Sequence, residues 1–229
     1  MHPISKVTVH NKAYQQLKAA IMSAYFEPGE ILTLRSLSTL FGTSDMPVRE
    51  ALKQLAAERA VEALPNRSTR IPVHSVKRMQ EIVDLRVLLE GYAAAAAATH
   101  ATAAEIEAIA AEQIKAVATI AANDVKTYLH HNTNFHFLIY RASRVETIVP
   151  IIESLWLQYA PTFRLSLARI AAHSEQLEKV SSNHHDGIVR ALKRRDREAA
   201  RREMEADIVE PTKTPDFWRL LGEPADDAS

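Results

Sequence analysis

Residues 43–55, TSDMPVREALKQL, predict an amphipathic helix in the N-terminal third of the chain. The apolar residues recur at i, i+3, i+4 and i+7, the spacing that gathers side chains on one helical face: Val48, Ala51, Leu52 and Leu55. The opposite face is polar and includes Arg49 and Lys53. One face is therefore expected to pack inside the protein, while the other meets water, another chain or a nucleic acid.

A second helix comes just before this one and is joined to it by a short link. Thr33 suits its N-terminal cap, and Gly42 follows the helix as a C-terminal stop. Four apolar residues of this helix are expected to be buried: Leu34, Leu37, Leu40 and Phe41. Ser44 then caps the third helix, which tolerates Pro47 because its first turn has no backbone hydrogen bond to lose. A longer helix over about residues 10–25 precedes both.

Strand-forming residues follow the third helix. Residues 61–73, VEALPNRSTRIPV, hold two short β-prone segments around a Pro-Asn-Arg-Ser turn, which predicts a two-stranded hairpin. A helix pair followed by a hairpin is typical of a winged helix-turn-helix, although tight helix pairs also occur in other small helical domains. In the winged fold Arg49 and Lys53 would point at bases and phosphates in the major groove. We therefore expect the polar face to bind DNA.

From residue 75 onward the sequence predicts an all-α bundle of six helices. Long stretches there are rich in Ala, Leu, Glu and Arg, and the whole chain has only 5 glycines. The helices are expected at about 76–100, 103–122, 124–143, 147–172, 174–195 and 196–210. The fold class is thus mainly α, with a DNA-binding domain at 1–74, a helical domain at 75–212 and a C-terminal tail at 213–229.

The composition excludes several classes of site. The chain has no cysteine, which excludes disulfides and thiolate metal sites. It has no apolar run of about 18 residues, and its start lacks the apolar core of a signal peptide, so we expect a cytoplasmic protein without a membrane partner. Residues 1–74 contain nine Lys and Arg against six Asp and Glu. The net charge of +3 makes this part the plausible partner for phosphate.

Three of the expected bundle helices turn a polar side chain toward the core. Asn132 and His136 share an otherwise apolar stripe, His185 leads into another, and Asp207 lies in line with apolar residues of the last bundle helix. A single inward histidine is usually a hydrogen-bonded core residue. Together, however, these groups must find partners, and imidazoles with a carboxylate suit a divalent transition ion such as Zn, Ni or Mn.

The N-terminal residues resemble the winged-helix domain of the GntR family of bacterial transcription regulators. The resemblance rests on I…PGE.L, on L…FG.S..PVREAL..L and on the wing, and it covers residues 13–73. The following part is similar to the helical FCD domain of the FadR subfamily, in its shorter VanR-type version, up to about residue 210. The family implies a homodimer that binds a palindromic operator in double-stranded DNA and responds to a small carboxylate effector held in the helical domain.

The resemblance also implies which residues contact DNA. The candidates lie at the start of the second helix, in the recognition helix and at the wing tip: Arg35, Ser44, Asp45, Pro47, Arg49, Lys53, Asn66 and Arg67. This chain has Asp45 where relatives usually carry Arg, and Asn66 where they usually carry Gly. Asp45 either reads a base or stabilises the helix terminus, and we favour the second role. Asn66 tolerates a left-handed turn, so the wing should be preserved.

In FCD domains a metal site of one Asp and three His is common, with the Asp four residues before the first His. The matching positions here are Asn132, His136, His185 and Asp207, so both ends of the set have changed. His136, His185 and Asp207 remain as a three-residue metal site with open positions. Because an amide oxygen is a poor ligand, we expect Asn132 to contact the effector or a bound water, with metal ligation as the alternative.

Arg86 lies in the apolar stretch IVDLRVLLEGY, with Glu90 one turn later. Two interpretations stay open. Arg86 and Glu90 form a partly buried ion pair, or Arg86 binds an effector carboxylate whose other oxygen completes the metal shell. The other histidines of these helices are expected on the surface or behind the ligands: His130, His131 and His184.

Two other classes of function compete with a ligand-responsive regulator. A metal-dependent hydrolase would use the same ligands to activate water, but no carboxylate is evidently placed as its general base. We therefore predict that the chain is not an enzyme. An architectural DNA-binding dimer without a ligand is the second alternative, and in that case no small molecule would change DNA binding.

Overall fold

The structure, a computed structural model, describes residues 9–65, 68–121, 124–171, 174–213 and 215–222. Its N-terminal part contains α1 (Val9–Met22), β1 (Ile31–Leu32), α2 (Leu34–Phe41), α3 (Asp45–Ala57), β2 (Glu62–Ala63) and β3 (Thr69–Arg70). Its C-terminal part contains α4 (Val76–His100), α5 (Ala103–Ala121), α6 (Val125–Ala142), α7 (Ile148–Ala171), α8 (Ser174–Arg194), α9 (Arg197–Val209), a 3₁₀ turn (Glu210–Lys213) and α10 (Pro215–Gly222). Within these ranges, no helix has both the length and the apolar composition that a membrane-spanning segment needs.

The helix-turn-helix forms where the sequence predicted it. Thr33 and Ser36 make a reciprocal capping box at the start of α2, and Gly42 ends the helix in the left-handed conformation at φ 60°. Leu40 was expected to be buried and is instead 52% exposed. The buried face of this short helix is centred on Leu37 and Ser38, which leaves Leu40 on the outer side.

The wing is part of a three-stranded antiparallel sheet with the order β1-β3-β2. The expected hairpin pairs Glu62 with Arg70 and Ala63 with Thr69. β1, which the sequence analysis missed, pairs with the other edge of β3. Two residues are too few to give an alternating pattern in the sequence. This strand forms because it pairs with β3 in the folded domain. The wing-tip residues Asn66 and Arg67 lie outside the described residues.

The six expected bundle helices are present, with ends within two residues of their predicted bounds. α9 packs closely along α4, whose alanines at 93, 94, 97 and 98 are fully buried. A Cβ atom added at Gly91 of α4 would lie 2.9 Å from Glu205 Cγ of α9. Small side chains on α4 therefore allow α9 to approach and to carry Asp207 into the bundle.

The segment that we assigned to a C-terminal tail contains a packed helix. α10 contacts α7, and Phe217 is fully buried in the core of the bundle. Trp218 Nε1 donates to the carbonyl oxygen of Thr212 at 2.6 Å. The apolar residues of this short segment find a tertiary surface, so the bundle domain extends beyond residue 212. The acidic end at 223–229 lies outside the described residues.

The two domains pack against each other through α7. Each has its own apolar core, but Leu157 of α7 belongs to the core of the DNA-binding domain. Lys18 of α1 also pairs with Glu153 of α7, with Nζ and Oε2 2.5 Å apart. α7 is therefore shared between the bundle and the DNA-binding domain.

The link between α2 and α3 gives a stability prediction. Ser38 Oγ donates to Asp45 Oδ1 at 2.7 Å, and Asp45 lies in the first turn of α3. Asp45→Asn should lower the free energy of unfolding by about 0.5–1 kcal/mol, because a charged acceptor at a helix N-terminus is lost. Urea denaturation of Asp45→Asn, Ser38→Ala and the double variant measures the coupling. Additive losses would contradict stabilisation through this bond.

Candidate metal centre and nucleic-acid interface

Three helices of the bundle bring the predicted metal ligands together. His136 comes from α6, His185 from α8 and Asp207 from α9, and their ligating atoms all lie within 4.8 Å of one another. His136 Nε2 is 3.3 Å from Asp207 Oδ2, and His185 Nε2 is 3.2 Å from Asp207 Oδ1. Both rings are buried, and the carboxylate is largely buried. The predicted three-residue cluster is thus assembled in space.

A hydrogen-bond chain assigns the proton on His136. Tyr140 Oη donates its single proton to Glu90 Oε2, which Arg86 holds as a carboxylate. His136 Nδ1 lies 3.1 Å from the same Tyr140 oxygen. The only proton of the Tyr140 hydroxyl is used in its hydrogen bond to Glu90. The same oxygen therefore accepts a hydrogen bond from His136 Nδ1–H. The Nε2 atom of His136 is therefore the ring nitrogen that faces Asp207.

His185 has the same tautomer for a different reason. Its Nδ1 lies 2.6 Å from Gln113 Oε1, and the amide nitrogen of Gln113 faces Asp186 at 3.5 Å. The amide oxygen can only accept, so His185 Nδ1–H donates. The ring of Phe135 stacks on that of His185, with centroids 4.2 Å apart. His185 Nε2 is thereby held toward Asp207.

Burial and the contacts within the cluster shift the pKa values of His136 and Asp207. Burial lowers the pKa of His136 below its ordinary value, although Asp207 opposes this shift. Burial alone would raise the pKa of Asp207, but His185 and His136 outweigh it, so the pKa is lowered and the carboxylate is ionised. Two imidazole nitrogens and the carboxylate converge in this way. Ligand atoms about 2.0–2.2 Å from one ion lie about 3.0–3.5 Å apart, which matches the two measured separations.

A small cavity of about 30 Å³ adjoins the cluster, enough for about two water-sized groups. Its polar lining consists of Arg86, Asn132, His136 and Asp207. Its other walls are apolar or aromatic: Tyr128, Trp156, Tyr159, Phe163, Leu167, Ile208 and Pro211. The cavity therefore joins the candidate metal position to an arginine within an aromatic enclosure.

One edge of the Arg86 guanidinium, formed by Nε and Nη2, is paired with the Glu90 carboxylate. Its Nε and Nη2 atoms donate to the two carboxylate oxygens at 2.6 and 3.2 Å, and Trp156 Nε1 also donates to Glu90 at 2.9 Å. The guanidinium lies over the rings of Trp156 and Tyr159, 4.6 and 4.1 Å from their centroids. Burial opposes the charge, but Glu90 raises the pKa of Arg86 above its ordinary value. The ion pair is thus present and more buried than expected, while effector binding by Arg86 stays a prediction.

Asn132 is buried on the cavity wall, and its Oδ1 accepts from Tyr128 Oη at 3.4 Å. Because this bond uses Oδ1, the amide nitrogen is the polar atom of Asn132 that can make a further contact. An amide N–H donates, which favours contact with an anion over metal ligation. The other histidines lie apart from the cluster as expected. His131 Nδ1 pairs with Glu112 Oε2 at 2.8 Å, and His184 Nδ1 pairs with Glu203 Oε2 at 2.9 Å.

Most candidate DNA-contacting residues are exposed on the DNA-binding domain: Arg35, Ser44, Asp45, Arg49 and Lys53. Pro47 is half-buried in the first turn of α3. Ser44 occupies the N-cap position of α3 with extended backbone, but its side chain makes no capping hydrogen bond there. Asp45 is held by Ser38 instead of facing outward freely. α3 therefore offers Arg49 and Lys53 on its outer face, as predicted.

Sequence reasoning missed the residues that orient the two histidines. Tyr140 lies four residues after His136 on the same face of α6, so its helical spacing could have identified it. Gln113 gave no such signal, because its contact with His185 arises from the packing of α5 on α8. Glu90 was noted only as the partner of Arg86, although it also binds Tyr140 and Trp156.

Comparison with known proteins agrees with this architecture. Residues 10–71 match the family described as bacterial regulatory proteins, gntR family, and residues 81–210 match the FCD domain. The HTH-type transcriptional regulator McbR of Escherichia coli (strain K12) is 27% identical over 185 residues, which cover 81% of this chain and 82% of McbR. The gluconate operon transcriptional repressor of Bacillus subtilis (strain 168) is 27% identical over 206 residues, covering 85% and 79% of the two chains.

Two solved structures share the fold. E. coli McbR/YncC superposes with a TM-score of 0.85 at 23% identity, covering 93% of this chain and 99% of that one. A transcriptional regulator of the GntR type from Rhodococcus sp. RHA1 gives a TM-score of 0.69 at 19% identity, with 94% and 99% covered. These likenesses extend over both domains of the chain.

The position of Tyr140 predicts a test of the hydrogen-bond chain. Tyr140→Phe removes the acceptor of His136 Nδ1–H and should weaken transition-metal affinity by about 10–100-fold. Competition with a chelator of known affinity measures this change. Tyr14→Phe is the matched control, because Tyr14 Oη donates to Glu58 in the other domain at 2.7 Å. Equal affinities for the two variants would remove Tyr140 from this role.

Proposed function

The chain belongs to the GntR family of bacterial regulatory proteins and carries an FCD domain, and from this premise we propose a homodimeric regulator whose operator binding responds to a small carboxylate at a metal centre. The chain is a transcriptional regulator, as the relatives named above are, and those relatives are not enzymes. A regulator must reach DNA, so we place it in the cytoplasm. Dimerisation, the operator, the metal and the effector are the parts of the proposal that need support.

The convergence of two imidazole nitrogens and a carboxylate carries the proposed metal centre. A divalent transition ion would bind His136, His185 and Asp207 together. Two nitrogens and one carboxylate suit Zn, Ni or Mn and leave coordination positions open. The bound ion would supply positive charge for an anionic oxygen in the adjoining cavity.

The charge balance of the cavity favours a small monocarboxylate. Arg86 and Glu90 neutralise each other, so a divalent ion beside Asp207 leaves one positive charge in a largely apolar enclosure. An effector carboxylate could bind the ion and accept from the amide nitrogen of Asn132. The small volume of the cavity favours an acid of few atoms. Asn132 and Arg86 are therefore proposed to select the effector.

The outer face of α3 and the wing are proposed to bind the operator. Arg49 and Lys53 border an apolar groove of about 260 Å³ that separates α3 from the wing. In a winged helix-turn-helix the corresponding helix enters the major groove, where Arg donates to guanine and Lys to bases or phosphates. Lys53 also pairs with Glu50 at 2.8 Å, an exposed contact weak enough to exchange for phosphate.

An exposed apolar stripe on α4 supports a homodimer. Leu85, Leu88 and Tyr92 share one helical face and are 45%, 59% and 54% exposed. Large apolar side chains grouped in this way mark an interaction surface, and a second copy of the chain would cover them. A two-fold axis between the copies would make the operator a near-palindrome.

The alternative is an architectural DNA-binding dimer without a ligand. The complete pairing of Arg86 with Glu90 favours it, because a satisfied arginine can serve packing alone. The two functions differ in one observable. Removal and return of the metal, followed by addition of small acids, should change operator affinity only for the responsive regulator.

The metal centre predicts the content of the purified protein. Protein prepared without chelator should hold about one divalent transition ion per chain, and chelation should lower its melting temperature, because an ion bound only by the native state stabilises that state. His136→Ala and His185→Ala should abolish retention. Asn132→Ala is the matched variant, expected to retain metal and weaken the response to small acids.

Elemental analysis and thermal unfolding measure both properties. Metal-free protein with a melting temperature indifferent to added Zn, Ni or Mn would contradict the proposal. The cluster would then serve as a hydrogen-bonded anion pocket built on Arg86 and the histidines.

The recognition helix predicts a loss on substitution of Arg49. Arg49→Ala should weaken operator binding by about 1–3 kcal/mol if Arg49 reads a base. Mobility-shift titration on DNA fragments selected by the wild type measures the loss. Arg194→Ala, at an exposed position of α8, is the control and should bind as the wild type does. Unchanged affinity of Arg49→Ala on every fragment would exclude this role, while Asp45→Asn should leave the base preference unaltered.

A further inference from the structure

α7 presents different faces to the cavity and to the DNA-binding domain. Trp156, Tyr159 and Phe163 line the cavity beside the candidate metal centre. Other positions of the same helix carry side chains that contact the DNA-binding domain: Glu153, Ser154, Leu157 and Arg164. A change in the position of the cavity-lining residues therefore moves residues that hold the DNA-binding domain.

Arg164 makes the most specific of these contacts. Its Nη1 atom donates to the carbonyl oxygen of Ala24 at 3.0 Å and to that of Tyr25 at 2.8 Å. Both carbonyls lie just after the C-terminus of α1, where a positive charge is favourable. Arg164 directly follows Phe163, a residue of the cavity wall, so the two side chains share one turn of α7.

The candidate metal centre is connected to α7 by a hydrogen-bonded network. Trp156 Nε1 donates to Glu90, which accepts from Tyr140, and the Tyr140 oxygen contacts His136. The rings of His136 and Trp156 also lie 5.3 Å apart, centroid to centroid. An ion that fixes His136 would thereby restrict Trp156 on α7.

The orientation of α1 determines that of the recognition helix. α1 and α3 pack against each other in the core of the DNA-binding domain, with Leu17 and Leu55 fully buried. Tyr14 Oη of α1 donates to Glu58 Oε1 at the C-terminus of α3 at 2.7 Å. A shift of the turn after α1 would consequently be carried to α3.

Pro161 divides α7 between its two sets of contacts. It has no N–H to donate to the carbonyl of Leu157, so one hydrogen bond of the helix is missing there. Glu153 and Leu157 precede this point, and Arg164 follows it. The second half of α7 can therefore tilt relative to the first at a lower cost than in an uninterrupted helix.

We propose that Arg164 is a positioning residue that transmits occupancy of the metal and effector site along α7 to the DNA-binding domain. The inference rests on the proposed metal centre. Metal binding favours the arrangement in which Arg164 holds the turn after α1. Because coupling between two sites is reciprocal, the position of that turn also changes the metal affinity of the site. What is transmitted is a change in the orientation and order of the DNA-binding domain, and this change alters the affinity for the operator.

Hydrogen–deuterium exchange of the full-length chain, stripped of metal and then loaded with Zn, tests this proposal. In the wild type, Zn should slow exchange in α6 and α9 and also in residues 17–27. In Arg164→Met, the Zn response of α6 and α9 should persist, while that of residues 17–27 is lost. Arg164→Lys, which keeps the charge with a smaller donor group, should restore part of the response.

Arg144→Met is the matched control, since Arg144 donates to both oxygens of Glu105 at 2.8 Å within the bundle. It should behave as the wild type does in every segment. If Arg164 only stabilised the turn, Arg164→Met would speed exchange in residues 17–27 equally with and without Zn, and the proposal would be wrong. An absent Zn response in α6 and α9 of the wild type would instead refute the metal centre, and the inference with it.

Discussion

Two imidazole nitrogens and one carboxylate meet inside the helical bundle within 4.8 Å of one another. The orientation of the two rings follows from hydrogen bonds at their Nδ1 atoms. Tyr140 accepts from His136 Nδ1–H, and Gln113 accepts from His185 Nδ1–H. Each Nε2 atom then faces Asp207, with N–O distances of 3.3 Å for His136 and 3.2 Å for His185. A divalent cation at this position is the proposal from which the proposed effector site and its regulation follow.

The packing of the bundle brings these ligands together from three helices. Alanines and Gly91 on α4 let α9 approach closely, which places Asp207 opposite the histidines of α6 and α8. α7 completes the enclosure with aromatic side chains and contributes Leu157 to the core of the other domain. The same helix therefore closes the cavity beside the cluster and supports the DNA-binding domain, so a change at the cavity has a short path to α3.

Much of this architecture could be predicted from sequence because it depends on local signals. Thr33 and Gly42 delimit α2 through caps, and the helical periodicity that places His136 on the inner face of α6 is equally local. The errors lie where tertiary contacts decide. β1 needs β3 as its partner, Leu40 depends on which face of α2 meets the core, and α10 forms against α7.

The metal centre itself can be examined most directly by X-ray absorption at the edge of the ion that the purified protein retains. The account predicts two imidazole nitrogens and carboxylate oxygen at about 2.0–2.2 Å, with the remaining positions filled by water or a carboxylate. The imidazole contribution should disappear in His136→Ala loaded with the same ion. An ion coordinated by oxygen alone, or a spectrum unchanged by that substitution, would contradict a centre formed by His136, His185 and Asp207.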